Sequence, residues 1–514
     1  MEKDIFAEYI KNIQSERLSS LPYKKPEVKE VQDQPESAHT LAVLKEISQK
    51  LDGIQGRTPS YNFDEDVDLA IVGGMVVMPD CGVFPMDLYI KGGKICTMGK
   101  QDRIHAKRTM DASGKYVCPG IIDPHVHLGL FAPMETDMVS ETKAAIMGGV
   151  TTIGMFCGGG QSHFTSFPEI EEQASRFSYT DIVPHLVISN EEQKRELKDY
   201  ARYLGVTSFK VYMNGIPGML PSVDDGFIMD VFAEMKQTGK ECILCCHTEN
   251  THLVARALRN AKEKYAGTGD IEQWPETHPA IAEEEAVIRI AYLAEKAKVP
   301  VYLVHIGTKE SVERLRQLKP YNQYLNIETT SPYLSVAGTE RKDALYKMEP
   351  PLREQEDKDA LWKAVADGIV DTIGTDNVCE TKGEKQPELP IWEVVPGYSV
   401  LETHLASVMT EGVVKRGIDI EKIITHMTKK PAQTFGIYPQ KGSLLPGSDA
   451  DIVLIDMSQE REVRAVDLSS RSDFTIYEGR RLKGWPCATI KGGKVVMENG
   501  ILTEAVPTGK MLKR

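Results

Sequence analysis

The sequence predicts an α/β fold: a (β/α)8 TIM-like barrel, a small β-sandwich domain built from both ends of the chain, and an N-terminal helical extension. Between residues 119 and 440, apolar strand-like runs alternate about eight times with helix-like runs, which is the pattern of a parallel barrel. On either side of this region, alternating segments separated by Gly-Gly and Asn-Gly turns are typical of antiparallel strands. Two such blocks at opposite ends of the chain can form one sandwich.

The predicted regions follow one another along the chain. Residues 1–64 form the extension, where apolar residues at helical spacing over roughly 39–54 predict a helix that packs on its own catalytic domain or, alternatively, on a partner. Residues 65–118 and 441–514 supply the two parts of the sandwich, the second with a C-terminal tail, and residues 119–440 form the barrel. We expect barrel strands near 121–127, 150–156, 182–188, 207–213, 242–247, 300–305, 324–329 and 371–376.

Composition limits the classes of function. The 514 residues suffice for one large catalytic domain with appendages, and the net charge of -14 argues against a nucleic-acid partner. No apolar run reaches the length of a membrane span, and the charged N-terminus lacks the apolar core of a secretion signal. Nine cysteines, an odd number, fit a reducing compartment better than a disulfide framework. We therefore expect a cytoplasmic protein with neither a membrane nor a nucleic-acid partner.

The first chemically suggestive segment is PGIIDPHVHLG, residues 119–129. Its apolar Ile121 and Ile122 predict a buried strand that ends in His125 and His127. Residues i and i+2 of a strand point to the same side, so both imidazoles can reach one metal ion. Two strand histidines that only form hydrogen bonds are the alternative for an isolated pair.

Four later strand ends carry residues of the same chemical kind. Lys210 lies inside the strand-like run SFKVY, where a lysine is costly unless it is paired or neutral. Two further runs, ILCCH and VYLVH, end in His247 and His305, and VDTIGTD ends in Asp376. The carboxyl ends of barrel strands form one face, where the active sites of such barrels lie, so these residues are expected to converge.

The sequence resembles the metal-dependent amidohydrolase superfamily, and within it the cyclic amidases: dihydropyrimidinases and hydantoinases, with allantoinases and dihydroorotases as cousins. The resemblance covers roughly residues 66–505 and omits the extension. Its motifs occur in the family's order and include PGIIDPHVH, GGVTTIGMF, SFKVYM, CCHTEN, VYLVHIGT, ETTSPYL, EPPLRE, IGTDN and KKPAQTFGIYPQKGSLLPGSDADIVLID.

The resemblance implies two divalent metal ions per subunit, usually Zn²⁺. His125, His127 and Asp376 would hold one ion, and His247 and His305 the other. Lys210, converted by carbon dioxide to an N6-carboxylated lysine, would bridge them, a reaction that requires the neutral amine favoured by burial. A hydroxide shared by the ions would attack the amide carbonyl while Asp376 acts first as base and then as acid. Family members are commonly homo-oligomers, so a dimer or tetramer is implied as well.

Substrate recognition departs from the family pattern. Dihydroorotases carry an arginine two residues after the second histidine, where this chain has Gly129, which disfavours that activity. Gly215 replaces the tyrosine that dihydropyrimidinases place after the bridging lysine, and Glu393 replaces an asparagine. The candidate substrate contacts are Tyr212, Ser331, Asn377 and His163.

Three functions therefore stay open from the sequence. The first is a hydrolase that opens a hydantoin, dihydropyrimidine or related ureide or imide ring. The second is an allantoinase-like or other amidohydrolase with a different amide substrate. The third is a non-catalytic dihydropyrimidinase-like scaffold, against which the retention of all six metal-site residues argues.

Overall fold

The fold is known from a computed structural model that describes residues 66–100, 104–216, 218–503 and 506–514. The extension predicted at residues 1–64, with its helix over roughly 39–54, lies outside the described residues. None of the described helices is long and apolar enough to cross a bilayer.

The described chain begins with five strands, as the glycine-rich pattern predicts. A glycine pair, Gly92 and Gly93, turns the chain between the second and third strands with φ values of 57° and 77°. The strands are β1 (Val67–Met78), β2 (Gly82–Lys91), β3 (Lys94–Met98), β4 (Ala106–Asp111) and β5 (Tyr116–Pro119).

The middle of the chain forms a closed parallel barrel. Its strands are β6 (Ile121–His127), β7 (Val150–Cys157), β8 (Asp181–Val187), β9 (Ser208–Tyr212), β10 (Ile243–His247), β11 (Val301–Leu303), β12 (Leu325–Thr330), β13 (Thr372–Gly374) and β14 (Asn377–Val378). Each strand from β6 to β12 pairs with the next in sequence, and β13 pairs with β12. The short β14 then pairs with β6 and closes the ring. The eighth barrel strand is therefore interrupted at Thr375 and Asp376, which lie between its two halves.

Helices follow the barrel strands, as the alternating pattern predicts. They are α1 (Met134–Met147), α2 (His163–Phe177), α3 (Glu191–Asp199), α4 (Asp225–Gln237), α5 (Thr251–Lys264), α6 (Ala280–Ala297), α7 (Lys309–Leu318), α8 (Ser331–Ser335), α9 (Gln355–Ala366), α10 (Lys382–Lys385), α11 (His404–Val408), α12 (Ile420–Met427) and α13 (Lys429–Thr434). Short 3₁₀ or π segments lie at Tyr200–Leu204, Trp274–Thr277, Lys319–Tyr321, Gly338–Glu340, Ala344–Tyr346, Met409–Val414 and Ala465–Asp467.

The end of the chain returns to the first β block. Strands β15 (Ile452–Glu462), β16 (Arg481–Lys491), β17 (Lys494–Glu498) and β18 (Ile501–Leu502) join it when β15 pairs antiparallel with β5. The result is one nine-stranded mixed sheet rather than two separately hydrogen-bonded sheets. This sheet folds over a shared apolar core, to which both ends of the chain contribute, for example Leu88 and Ile490.

A buried lysine joins the barrel to the mixed sheet. Lys441 is 3% exposed, and its Nζ lies 2.5 Å from Asp181 on β8 and 2.5 Å from Asp451 beside β15. Asp449 lies 3.0 Å from the same Nζ. Since these carboxylates come from both parts of the fold, Lys441 fixes the orientation of the sheet against the barrel.

Candidate active site

The chemically suggestive residues converge at the carboxyl ends of the barrel strands. His125 and His127 end β6, Lys210 lies within β9, and His247 ends β10. His305 follows β11, and Asp376 lies in the interruption between β13 and β14. His305 and Asp376 have φ values of 41° and 57°, a left-handed conformation that non-glycine residues rarely adopt. Such backbone geometry is concentrated at functional sites, where the surrounding structure maintains it.

Three of these residues form a group that could hold a metal ion. His125 Nε2 and His127 Nε2 lie 3.2 Å apart, and Asp376 Oδ1 lies 3.0 Å from the first and 3.1 Å from the second. His127 and Asp376 are each 14% exposed, whereas His125 is buried. The group is thus open to solvent on one side. Its donor set of two imidazoles and a carboxylate suits zinc.

The other two histidines form a second pair. His247 Nδ1 lies 2.9 Å from His305 Nε2, with both rings buried. The His305 ring also stacks on His125, with 5.6 Å between ring centres. The two groups of imidazoles are therefore parts of one cluster.

Lys210 lies at the bottom of this cluster and is fully buried. Its Nζ is 4.6 Å from the centre of the Phe156 ring, which stacks on His127, and 4.7 Å from that of Tyr212. Within the described part of the chain, no carboxylate comes within 4.0 Å of this ammonium group. Burial lowers the pKa of Lys210. The neutral amine is therefore more accessible here than in a solvated lysine.

Glu328, on β12, links the two groups of imidazoles. One oxygen, Oε2, lies 2.8 Å from His125 Nδ1 and accepts a hydrogen bond of 2.9 Å from the backbone N–H of His305. Because a carboxylate can only accept, His125 donates from Nδ1, and its Nε2 is the nitrogen that holds a cation, either a proton or a metal ion, beside Asp376 and His127. Burial opposes protonation of His125, but the charges of Asp376 and Glu328 raise its pKa to about 9.

Glu249 accepts a hydrogen bond from His247, as Glu328 does from His125. Its Oε2 lies 3.0 Å from His247 Nε2, and its Oε1 lies 2.9 Å from His278 Nδ1. His247 therefore donates from Nε2 and directs the lone pair of Nδ1 toward His305. Despite full burial, the neighbouring His278 holds the pKa of Glu249 well below its usual range. His125 and His247 thus each donate to a carboxylate from one ring nitrogen and present the other ring nitrogen to the centre of the cluster.

The spacing of the ring nitrogens and the carboxylates behind them show whether these residues fit metal ions. Unprotonated ring nitrogens that face one another at 2.9 to 3.2 Å repel unless a proton or a cation lies between them. Carboxylates behind His125 and His247 fix the tautomers that metal ligands require. The residues therefore fit divalent ions.

The sequence analysis named the candidate ligand residues but missed the two carboxylates behind them. Glu328 lies in the motif ETTSPYL and Glu249 in CCHTEN. Glu328 is the one charged residue of β12, and Glu249 comes two residues after the end of β10, so a lone carboxylate in or just after a strand is the available signal. Both are fully buried.

The four candidate substrate contacts occupy different surroundings. The ring centre of Tyr212 lies 5.7 Å from that of His247. Ser331 Oγ lies 2.9 Å from His404 Nδ1, and Asn377 uses both ends of its amide, donating to Glu141 and accepting from the N–H of Val400. His163 is fully buried, and its Nε2 lies 2.7 Å from the carbonyl oxygen of Val187.

Comparison with known proteins defines the class of enzyme. The amidohydrolase family model matches residues 116–496. The D-hydantoinase of Ralstonia pickettii is 32% identical over 469 residues, which cover 87% of this chain and 99% of that protein. The L-hydantoinase of Paenarthrobacter aurescens is 30% identical over 434 residues, 82% of this chain and 92% of that protein. Among solved structures, the dihydropyrimidinase of Brevibacillus agri superposes with a TM-score of 0.80 and 28% identity over 87% of this chain and 98% of that one.

The chain belongs to the amidohydrolase family and is a hydrolase of carbon–nitrogen bonds. Within the family it is similar to the hydantoinases and dihydropyrimidinases. The superfamily, the fold class and the enzyme class predicted from the sequence are confirmed.

Proposed function

We propose that this protein is a binuclear-metal hydrolase that opens a cyclic amide ring, namely a hydantoin, a dihydropyrimidine or a related ureide or imide. The observation that carries the proposal is the convergence of four imidazoles, Asp376 and the buried Lys210 at the carboxyl end of a barrel that is similar to hydantoinases. His125, His127 and Asp376 would hold one divalent ion, and His247 and His305 the other. The N6-carboxylated form of Lys210 would supply an anionic oxygen to each.

The proposed ions are Zn²⁺, which would polarise the amide carbonyl and acidify a water molecule when bound. Asp376 takes the proton of the attacking water and returns it to the leaving ring nitrogen, so one carboxylate serves as base and then acid. Its position supports this role, because its backbone N–H donates to the carbonyl oxygen of His125 at 2.9 Å and its side chain is partly open to solvent.

Carboxylation of Lys210 is supported by its surroundings. A charged ammonium group among cations would be repelled, whereas a carbamate removes the positive charge and adds two oxygens. The lowered pKa of Lys210 favours the neutral amine that attacks carbon dioxide.

Two glycines bear on the substrate. Gly129 has a φ of 75°, a conformation that an arginine rarely adopts, and a Cβ there would lie 2.9 Å from the terminal methyl of Met134, so the position disfavours the dihydroorotase arginine. Gly215 has a φ of 71°, and a Cβ would lie 2.6 Å from the backbone nitrogen of Ser222. Since no side chain fits at residue 215, we propose that Tyr212 stabilises the developing oxyanion. Ser331, Asn377 and His163 remain secondary candidates for substrate contact.

The cellular setting is proposed on similar grounds. All nine cysteines carry free thiols, which supports a reducing compartment such as the cytoplasm. A homo-oligomer, dimer or tetramer, stays a prediction from the resemblance.

One experiment tests the function directly. The purified protein is loaded with zinc in bicarbonate buffer, and its metal content is measured together with hydrolysis of dihydrouracil, hydantoin, both enantiomers of 5-substituted hydantoins, allantoin, dihydroorotate and simple cyclic imides. We expect about two ions per chain and turnover of at least one ring other than dihydroorotate. Two bound ions without turnover of any cyclic amide would favour another amide substrate, whereas no metal and no turnover would favour the scaffold.

Lys210→Ala, compared with Lys194→Ala, tests the proposed bridging of the two metal ions by Lys210. This variant should lose at least one metal ion and nearly all turnover, while Lys194→Ala should retain both. Lys194 is a suitable control because it is a largely buried lysine on the outer helix α3, paired with Glu191 and Asp230. Wild-type activity of Lys210→Ala would refute the bridging role.

A further inference from the structure

A cavity of about 510 Å³ lies at the face of the barrel opposite the active site. Its wall contains the residues that begin the barrel strands, such as Cys242 before β10, Pro300 before β11 and Asp371 before β13. The proposed metal ligands lie at the other ends of these strands. The cavity is therefore separate from the hydrolytic site.

Cations dominate the wall of this cavity. Five come from separate parts of the chain, and among the described residues none of their side chains lies within 4.0 Å of an aspartate or glutamate carboxylate oxygen. We refer to them as the basic cluster: Lys236, Lys240, Lys298, Lys430 and Arg514.

The wall of the cavity contains few negative side chains that could neutralise the basic cluster. Asp371 is already neutralised by Lys319, whose Nζ lies 2.6 Å from it, and the same carboxylate accepts from the N–H of Ile327. This leaves Glu241 as the one side-chain carboxylate lining the described cavity without a lysine or arginine within 4.0 Å. In a chain with a net charge of -14, five cations that have no aspartate or glutamate partner are an unusual concentration around one cavity.

Part of the cluster is held in place by the fold. Lys240 Nζ donates to the carbonyl oxygen of Ala201 at 2.9 Å and to the main-chain oxygen of Arg514, the last residue of the sequence, at 2.6 Å. The backbone N–H of Arg514 donates to Gly205, and its guanidinium group packs against Gly436, where a Cβ could not be accommodated. Lys298, which follows α6, and Lys430, which lies in α13, complete the wall. These anchors keep like charges close together, which costs free energy unless an anion is bound.

We propose that this cavity binds a small polyanion, a molecule with two or more phosphate or carboxylate groups. Lysine and arginine are the side chains that bind such groups, and several cations around one volume favour more than one anionic group. The site does not depend on the proposed metal centre.

Calorimetric titration of the zinc-loaded full-length protein at 50 mM and 300 mM NaCl tests the proposal, with fructose 1,6-bisphosphate and citrate as the probes. We expect saturable one-site binding of at least one probe, weakened by salt because the contacts are ionic. Binding of the bisphosphate alone would identify phosphate esters as the ligand class, and binding of citrate alone would identify polycarboxylates. Saturable binding of neither probe at the lower salt concentration would overturn the proposal.

Charge-reversal variants test whether the anion binds at the basic cluster. Lys298→Glu combined with Lys430→Glu should weaken binding by about tenfold or more. Lys107→Glu combined with Lys494→Glu makes the same change in net charge on the mixed sheet and should leave binding unchanged. Equal affinity of the two double variants would refute the site. Loss of binding in His127→Ala would refute it as well, because the anion would then occupy the metal centre.

Discussion

Replacement of Glu328 by glutamine isolates the charge of the carboxylate behind the proposed metal ligands. The two side chains have nearly the same shape, and an amide oxygen in the position of Oε2 can still accept from His125 Nδ1 and from the N–H of His305. The amide nitrogen would take the position of Oε1, which has no hydrogen-bond partner in the described structure. The substitution therefore removes one negative charge and leaves the packing unchanged.

The size of the effect follows from what that charge does. Glu328 and Asp376 together raise the pKa of His125 against the effect of burial, so the carboxylate makes Nε2 a stronger base and a stronger metal ligand. Loss of a partner of this kind weakens metal binding by about 10- to 100-fold, or about 1.4 to 2.7 kcal/mol. We expect Glu328→Gln to bind zinc more weakly by this factor and to lose activity in proportion at limiting zinc.

The assay is a competition titration of zinc against a chromophoric chelator at fixed pH, paired with thermal unfolding of the metal-free protein. Glu310→Gln, a substitution of a half-buried glutamate in the first turn of α7, is the control and should match the wild type in both measurements. Unchanged zinc affinity of Glu328→Gln would contradict the orienting role of the carboxylate. Weaker binding accompanied by a large loss of thermal stability would assign the effect to folding instead.

Three further substitutions test the packing and the electrostatics of the fold. Gly154→Ala should destabilise the protein by about 1–3 kcal/mol, because the added Cβ would lie 2.4 Å from the carbonyl oxygen of Pro124, whereas Gly160→Ala, in open space, should have little effect on urea unfolding. Lys441→Met should cost about 3–5 kcal/mol, since it leaves buried carboxylates without their cation, and a midpoint of unfolding equal to that of the wild type would contradict this. Burial raises the pKa of Glu402 from 4.5 to about 7, so the folded state retains a proton that the unfolded chain releases, and stability should fall as the pH rises through this interval. Glu402→Gln should reduce this fall by about 3 kcal/mol, measured as the difference in unfolding free energy between pH 5 and pH 8, and an unchanged pH dependence would exclude the assignment.

Much of the barrel could be predicted from the sequence because its strands are short apolar runs with little ambiguity. The β6 prediction, residues 121–127, coincides with the observed Ile121–His127. The eighth strand was less predictable. A continuous strand was expected near 371–376, but the chain turns at Asp376 with a φ of 57° and resumes pairing at Asn377. A left-handed aspartate leaves no signal in hydrophobic periodicity.

The same limit applies to the site and to the mixed sheet. The spacing of His125 and His127 indicates a candidate metal site directly from the sequence. Glu328, by contrast, contacts His125 and His305 only because the fold places β12 beside β11 and within reach of β6. Tertiary neighbours of this kind cannot be identified from local pattern. The join of β5 to β15 that makes one sheet of the two β blocks is likewise a contact between residues more than 300 positions apart in sequence.

The interrupted eighth strand couples assembly of the proposed catalytic group to closure of the barrel. The backbone N–H of Asp376 donates to the carbonyl oxygen of His125 where the last strand meets the first, so the proposed acid–base residue also helps to close the barrel. A nascent chain synthesised only as far as β12 would contain all four histidines but not yet Asp376. Under the proposed mechanism, hydrolysis would then begin only once the barrel has closed, which makes turnover a reporter of barrel closure.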